Sequence, residues 1–136
     1  MSASFHSIAG GWLGTFYYAS RTLLPVRFEA SFVRQAGDGD TEQFCGSVVD
    51  DDNGDGVAQV AHGVRQAAFI RFTKRYLPPA PGLYPVAYVG TLSADGRLLT
   101  GHWKIALAGS RRARARELVG TWDARRVWTA DTDDAA

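Results

Sequence analysis

Val26-Arg27-Phe28-Glu29-Ala30-Ser31-Phe32 sets an apolar side chain at every second position and a polar one between. Successive strand residues point to opposite faces, so this alternation describes a strand with one face in a core and one in water. A helix would need apolar residues at spacings of three and four, and no stretch of the chain sustains that over three turns. The period of two recurs outward in both directions. Trp12, Gly14, Phe16 and Tyr18 share one parity before it, and Phe44, Gly46 and Val48 follow it. Ala58, Val60 and His62 make a fourth run, and Ala68, Ile70 and Phe72 a fifth. Tyr84, Val86, Tyr88 and Leu92 form a sixth, Gly101, Trp103, Ile105 and Leu107 a seventh, and Leu118, Gly120 and Trp122 an eighth.

The segments between these runs are turns. Ala36-Gly37-Asp38-Gly39-Asp40, Asp52-Asn53-Gly54-Asp55-Gly56 and Ala94-Asp95-Gly96 are rich in residues that tolerate positive φ. His62-Gly63-Val64 reads as a tight turn between the fourth and fifth strands, and Pro78-Pro79-Ala80-Pro81-Gly82 as a longer loop. Parallel strands need crossovers of about a dozen residues or more, which these gaps do not provide. The expected fold is all-β: a single up-and-down antiparallel β-barrel of about eight strands over residues 1–130, with a disordered acidic tail over 131–136.

Composition narrows the function classes. With 136 residues the chain has the length of one domain. Fifteen Lys and Arg against 14 Asp and Glu leave a net charge of +1, without the basic excess of a dedicated nucleic-acid binder. No apolar run reaches the ~18 to 20 residues of a membrane-spanning helix, so neither nucleic acid nor membrane is an expected partner. A single cysteine, Cys45, makes no intrachain disulfide. The first residues carry neither a basic nor an apolar signal region, so a cytoplasmic location is the default expectation.

One device recurs. Gly10-Gly11-Trp12, Gly101-His102-Trp103 and Gly120-Thr121-Trp122 read G-x-W, and Gly14-Thr15-Phe16 reads G-x-F. Each glycine removes bulk beside a large ring and permits the coiling that barrel corners need. A G-x-W opening the first strand of a small meander barrel resembles the calycins, the group of lipocalins, fatty-acid-binding proteins and avidins. The resemblance rests on Gly10, Trp12, Gly14 and Phe16, and on Gly120-Thr121-Trp122 with Arg125 or Arg126 at the end. It implies that one of these arginines covers Trp12 and plugs the closed end of the barrel. The Thr-Asp-Tyr signature of lipocalins is absent, as are the paired helices that lid fatty-acid-binding proteins.

Three constellations invite chemistry. Asp51-Asp52-Asn53-Gly54-Asp55-Gly56 matches the opening of a calcium loop, but His62 stands where a bidentate Glu would be needed, so a hairpin turn is expected and no metal or other cofactor. Arg111, Arg112, Arg114 and Arg116 form a basic cluster able to attract an anionic ligand or partner, without interleaved aromatics. Catalysis has no motif: there is no G-x-S-x-G elbow and no H-E-x-x-H pair, so whether the chain is an enzyme stays open. An enzymatic reading requires at least two of His62, Lys74, Glu29 and Asp50 to converge within hydrogen-bond distance.

The interior residues carry the binding expectation. Phe28, Phe32, Phe44, Phe72, Tyr88 and Trp103 share the parity of the core, and Lys74, His62 and Asp50 continue in-facing rows toward strand ends. An eight-stranded barrel either fills with side chains or holds one small ligand. The expected site is Phe28, Phe32, Phe44, His62, Phe72, Lys74, Tyr88 and Trp103 around a small, partly apolar or anionic ligand. The rival is a filled, non-catalytic barrel that works through its outer face. The sixth strand is apolar on both faces, with Leu83, Ala87 and Val89 opposite Tyr84, Val86 and Tyr88, and Phe69 and Leu13 also point outward. A homodimer covering that surface is therefore expected.

Overall fold

The computed structural model describes residues 6–78, 84–107 and 116–130. Eight strands follow in order: β1 (Gly10–Tyr18), β2 (Val26–Asp38), β3 (Thr41–Asp50), β4 (Val57–Gln66), β5 (Phe69–Tyr76), β6 (Val86–Leu92), β7 (Leu98–Leu107) and β8 (Arg116–Thr129). Each pairs antiparallel with the next, and β8 pairs back onto β1, closing the sheet into an up-and-down barrel. Closure leaves no strand edge unpaired. Several strands outrun their alternation. β2 continues past Phe32 to Asp38 and β8 past Trp122 to Thr129, because pairing with a neighbour carries the strand on through residues with no apolar period. The acidic tail 131–136 and the proline-rich segment 79–83 lie outside the described residues, as do Arg111, Arg112 and Arg114 of the basic cluster.

The in-facing rows are the expected ones except on β4 and at two row ends: Tyr84 lies outside β6 and is exposed, and Leu118 is exposed too. Val26, Phe28, Ala30 and Phe32 are buried while Arg27 and Glu29 are exposed. On β4 the pattern breaks, and His62-Gly63-Val64 is not a turn. The strand runs through it to Gln66, and the turn falls at 67–68. Around His62 the ladder slips on both sides: Gly46 pairs Val60 but Phe44 pairs Gly63, and Thr73 pairs Ala61 but Arg71 pairs Val64. His62 sits in this bulge with φ of 57° and is exposed. The inserted residue inverts the parity of everything after it, so Gly63 and Arg65, not His62 and Val64, face inward.

The G-x-W repeats of β7 and β8 interlock. Trp103 pairs Gly120 and its ring lies over that glycine, whereas Trp122 pairs Gly101 but its ring lies over Gly90 of β6. A Cβ on Gly120 would stand 2.5 Å from the Trp103 ring, and one on Gly90 would stand 2.8 Å from Trp122. The open lanes let the buried indoles reach backbone. Trp103 Nε1 donates to the carbonyls of Tyr17 and Thr121 at 3.2 Å, and Trp122 Nε1 to that of Val89 at 3.0 Å. These two indoles thus fill the core without stranding their polar atoms.

The two ends differ. One carries the short connections 39–40, 67–68 and 93–97, and the chain enters there through residues 6–9. Trp12 is 1% exposed, and the Arg126 guanidinium lies 4.5 Å from its ring centroid. Arg126 also donates to the carbonyls of Ser7, Ala9 and Gly96. Of the two arginines expected over Trp12, it is Arg126 that covers the ring, and Arg125 is exposed. Beside this plug Arg65 Nε donates to Glu42 at 2.6 Å, both side chains 2% exposed. Glu42 also accepts from Ser7 Oγ and the Ile8 N–H. The carboxylate therefore ties the entering chain to the barrel floor. The opposite end carries the longer connections 19–25, 51–56, 77–85 and 108–115.

Candidate functional site

Toward the β3–β4 end of the barrel, where Asp50 ends β3, the core turns polar. Asp50 ends β3 and Lys74 lies near the end of β5, both facing in because they keep the parity of Val48 and Phe72. Lys74 Nζ donates to Asp50 Oδ1 at 2.8 Å, with the two side chains 1% and 0% exposed. Tyr76, two residues beyond Lys74 on the same face, donates its hydroxyl to Asp50 Oδ2 at 2.6 Å, and the Asp55 N–H reaches that oxygen at 3.3 Å. The ammonium is boxed by rings, 4.5 Å from the centroid of Phe16, 4.7 Å from Tyr76 and 5.9 Å from Tyr88. Such contacts partly replace lost hydration.

Burial dominates the protonation equilibria here. It pulls Lys74 below the usual lysine range, although Asp50 opposes the shift by proximity and hydrogen bonding. It pushes Tyr76 up, helped by the hydrogen bond that its phenol gives Asp50. Tyr88 is pushed well up by burial and then by the Asp50 charge, and its hydroxyl has no hydrogen-bond partner among the described residues.

A ring cluster continues inward. Phe72 stacks on Tyr88 with centroids 4.8 Å apart and an interplanar angle of 11°, and Phe32 lies 5.5 Å from Phe72. What remains between them is an enclosed void of about 10 Å³, bordered by Phe28, Phe32, Phe72, Lys74, Tyr88 and Trp122 among others. That is the room of about one water molecule.

Of the residues expected from sequence, five therefore meet at one place: Phe28, Phe32, Phe72, Lys74 and Tyr88. Phe44 packs beside them, 5.1 Å from Phe32, and Trp103 packs 5.9 Å from Phe16. His62 does not join them, because the bulge turns it to the outside. Asp50 belongs to the site by its bond to Lys74, and Tyr76 was not anticipated, although continuing the Phe72–Lys74 row by one step reaches it. Glu42 and Arg65 at the floor were missed too. Glu42 was findable by parity from Phe44, whereas Arg65 is hidden by the bulge.

Lys74 and Asp50 are the two groups of the enzymatic quartet that converge, while Glu29 and His62 are exposed on the outer surface. In the acidic loop Asp51 accepts from the Asn53 N–H of the loop and from the Arg27 N–H of β2. Among the described residues no three His, Cys, Asp or Glu side chains are grouped as they would be around a cation. No family model, curated protein or solved structure matches this chain.

Proposed function

We propose that this calycin-like barrel is a small-molecule-binding module, taking a partly apolar ligand through the end that carries the longer connections. The observation behind this reading is the Lys74–Asp50–Tyr76 network sealed inside a ring-lined barrel. A buried ion pair costs more to desolvate than an apolar pair of the same volume, so fold stability alone gives no reason to keep it. A ligand supplies one. Among the described residues, Lys74 has N–H groups beyond its bond to Asp50 that face rings, and Tyr88, which lines the same void, has a hydroxyl with no hydrogen-bond partner. The chemistry selects a hydrogen-bond-accepting head on an apolar body. The void admits about one water, so binding requires the Phe72–Tyr88 stack to part, and ligand affinity is reduced by the cost of opening it.

Decanoate and decanol separate the head from the body. Trp122 and Trp103 report on the interior by fluorescence, and native mass spectrometry counts bound molecules. Decanoate is expected to bind, to perturb tryptophan emission and to lose about tenfold or more in affinity in Lys74→Met, whereas decanol changes little. The double variant Lys74→Met/Asp50→Asn carries the same test without a stranded carboxylate. Bare protein with unchanged emission in both ligands would leave the filled barrel acting through its outer face as the surviving reading.

A further inference from the structure

We propose that the outer face of β8, β1 and β2 is a self-association surface that docks onto the same face of a second copy, with the twofold axis running along β1. Two rows of side chains cross this face. Pairing aligns Leu98, Arg125, Leu13, Glu29 and Val49 in one row, each on a neighbouring strand from β7 to β3. The next row aligns Thr100, Asp123, Thr15 and Arg27, with Asp51 bonded to the Arg27 backbone beyond it. Positive stands beside negative in both directions: Arg125 and Glu29 flank Leu13, while Asp123 and Arg27 flank Thr15 in the opposite order. All four charged residues are exposed, and among the described residues none has an ion-pair partner.

Such a checkerboard is its own complement. A twofold axis along β1 carries each position to its mirror across that strand. Arg125 then meets Glu29 of the second copy, Asp123 meets Arg27, and Leu13 meets Leu13, while Leu98 and Val49 lie on the flanks where the barrel wall curves away. An axis across the strands would also match the charges, but it would set Leu13 against Thr15. Leu13 therefore chooses between the two orientations. The face is a shallow groove of about 710 Å³, and long arginine stems are the side chains able to span it. This surface differs from the β6 face that two-sided apolarity alone suggests, and it is independent of any ligand in the interior.

Sedimentation equilibrium of the full chain at about 100 µM and low salt tests it, well above the micromolar range of weak specific interfaces. The wild type is expected at the mass of two chains. Arg125→Glu and Glu29→Arg are each expected to weaken association about a hundredfold, since each puts like charges opposite one another twice. Combining both in one chain restores opposite charges across the interface, with the signs of that row exchanged, and association should return. Circular dichroism confirms that each variant is folded. A wild type at one-chain mass overturns the proposal, as does a folded double variant that stays dissociated. Dissociation by Val89→Glu with Arg125→Glu still paired would place the interface on β6 and overturn it equally.

Discussion

Lys74 brings a full charge into a space walled by Phe16, Tyr76 and Tyr88, and among the described residues Asp50 alone answers it. Removing one partner strands the other, so Lys74→Met is expected to cost about 3 to 5 kcal/mol in urea unfolding. Lys74→Met/Asp50→Asn removes both charges and should recover to within about 1 kcal/mol of wild type. A double variant as unstable as the single would show that the carboxylate matters to the fold without its lysine. The tyrosines offer an independent readout. Tyr18, Tyr76 and Tyr88 are all raised by burial and by the nearby Asp50 charge, so all three resist ionisation past about pH 10. A raised folded-state pKa stabilises the fold below the unfolded value, and that contribution disappears as pH climbs through the folded one. Phenolate absorbance should therefore rise in a late step that coincides with alkaline unfolding, rather than in one smooth titration. Parity shows that Lys74 and Asp50 face inward. That they meet is not legible in spacing, because β3 and β5 are not neighbours and the contact depends on barrel curvature and the reach of a lysine stem.

Strands β4 and β5 show where a period of two stops being a guide. Their turn at 67–68 contains no glycine, yet Ala67 has φ of 53°. Glycine marks His62-Gly63 as the turn, but that site is a bulge, so the hairpin begins later than glycine indicates and the bulge hides the inward parity of Arg65. Left-handed backbone strains an alanine, and Ala67→Gly should relieve that strain. The substitution is expected to raise stability by about 0.5 to 1 kcal/mol, read as a higher urea midpoint with an unchanged slope. A fall would mean that Ala67 contributes packing not visible in its half-exposed position. β7 and β8 make the opposite case. Their G-x-W repeats are legible as room for rings, although Gly120 makes room for Trp103 of the facing strand and the room for Trp122 comes from Gly90 of β6. Gly120→Ala drives a methyl into Trp103 and the Tyr17 carbonyl together. Neither backbone nor a packed indole yields easily, so a loss of about 2 to 3 kcal/mol is expected. Trp103 emission should shift with it.

Across the whole molecule, charge is buried at both ends of one apolar barrel, Glu42–Arg65 at the floor and Lys74–Asp50 toward the opposite end. The near-zero net charge conceals this, because each pair cancels in the sum. The floor pair has a distinct consequence. Burial alone would raise Glu42, but hydrogen bonds from Arg65, Ser7 and the Ile8 N–H, with the Arg65 charge, outweigh it and hold the carboxyl below its ordinary range. A depressed acid stabilises the fold above its unfolded pKa, about 4.3, and that stability drains away as pH falls through the folded value. The entering chain is bonded to this same carboxylate, so acid should loosen residues 6–9 and uncover Trp12 before the sheet opens. Glu42→Gln separates this effect from the other carboxylates. It leaves Arg65 buried without a counter-charge, so its melting temperature at neutral pH should lie below wild type. Its profile should also be flatter between about pH 5 and pH 2, and the two curves should converge in acid, where wild-type Glu42 is protonated too. Curves that stay parallel down the acid limb would show that the Glu42 proton is not linked to folding, and that packing of Trp12 under Arg126 holds the floor unaided.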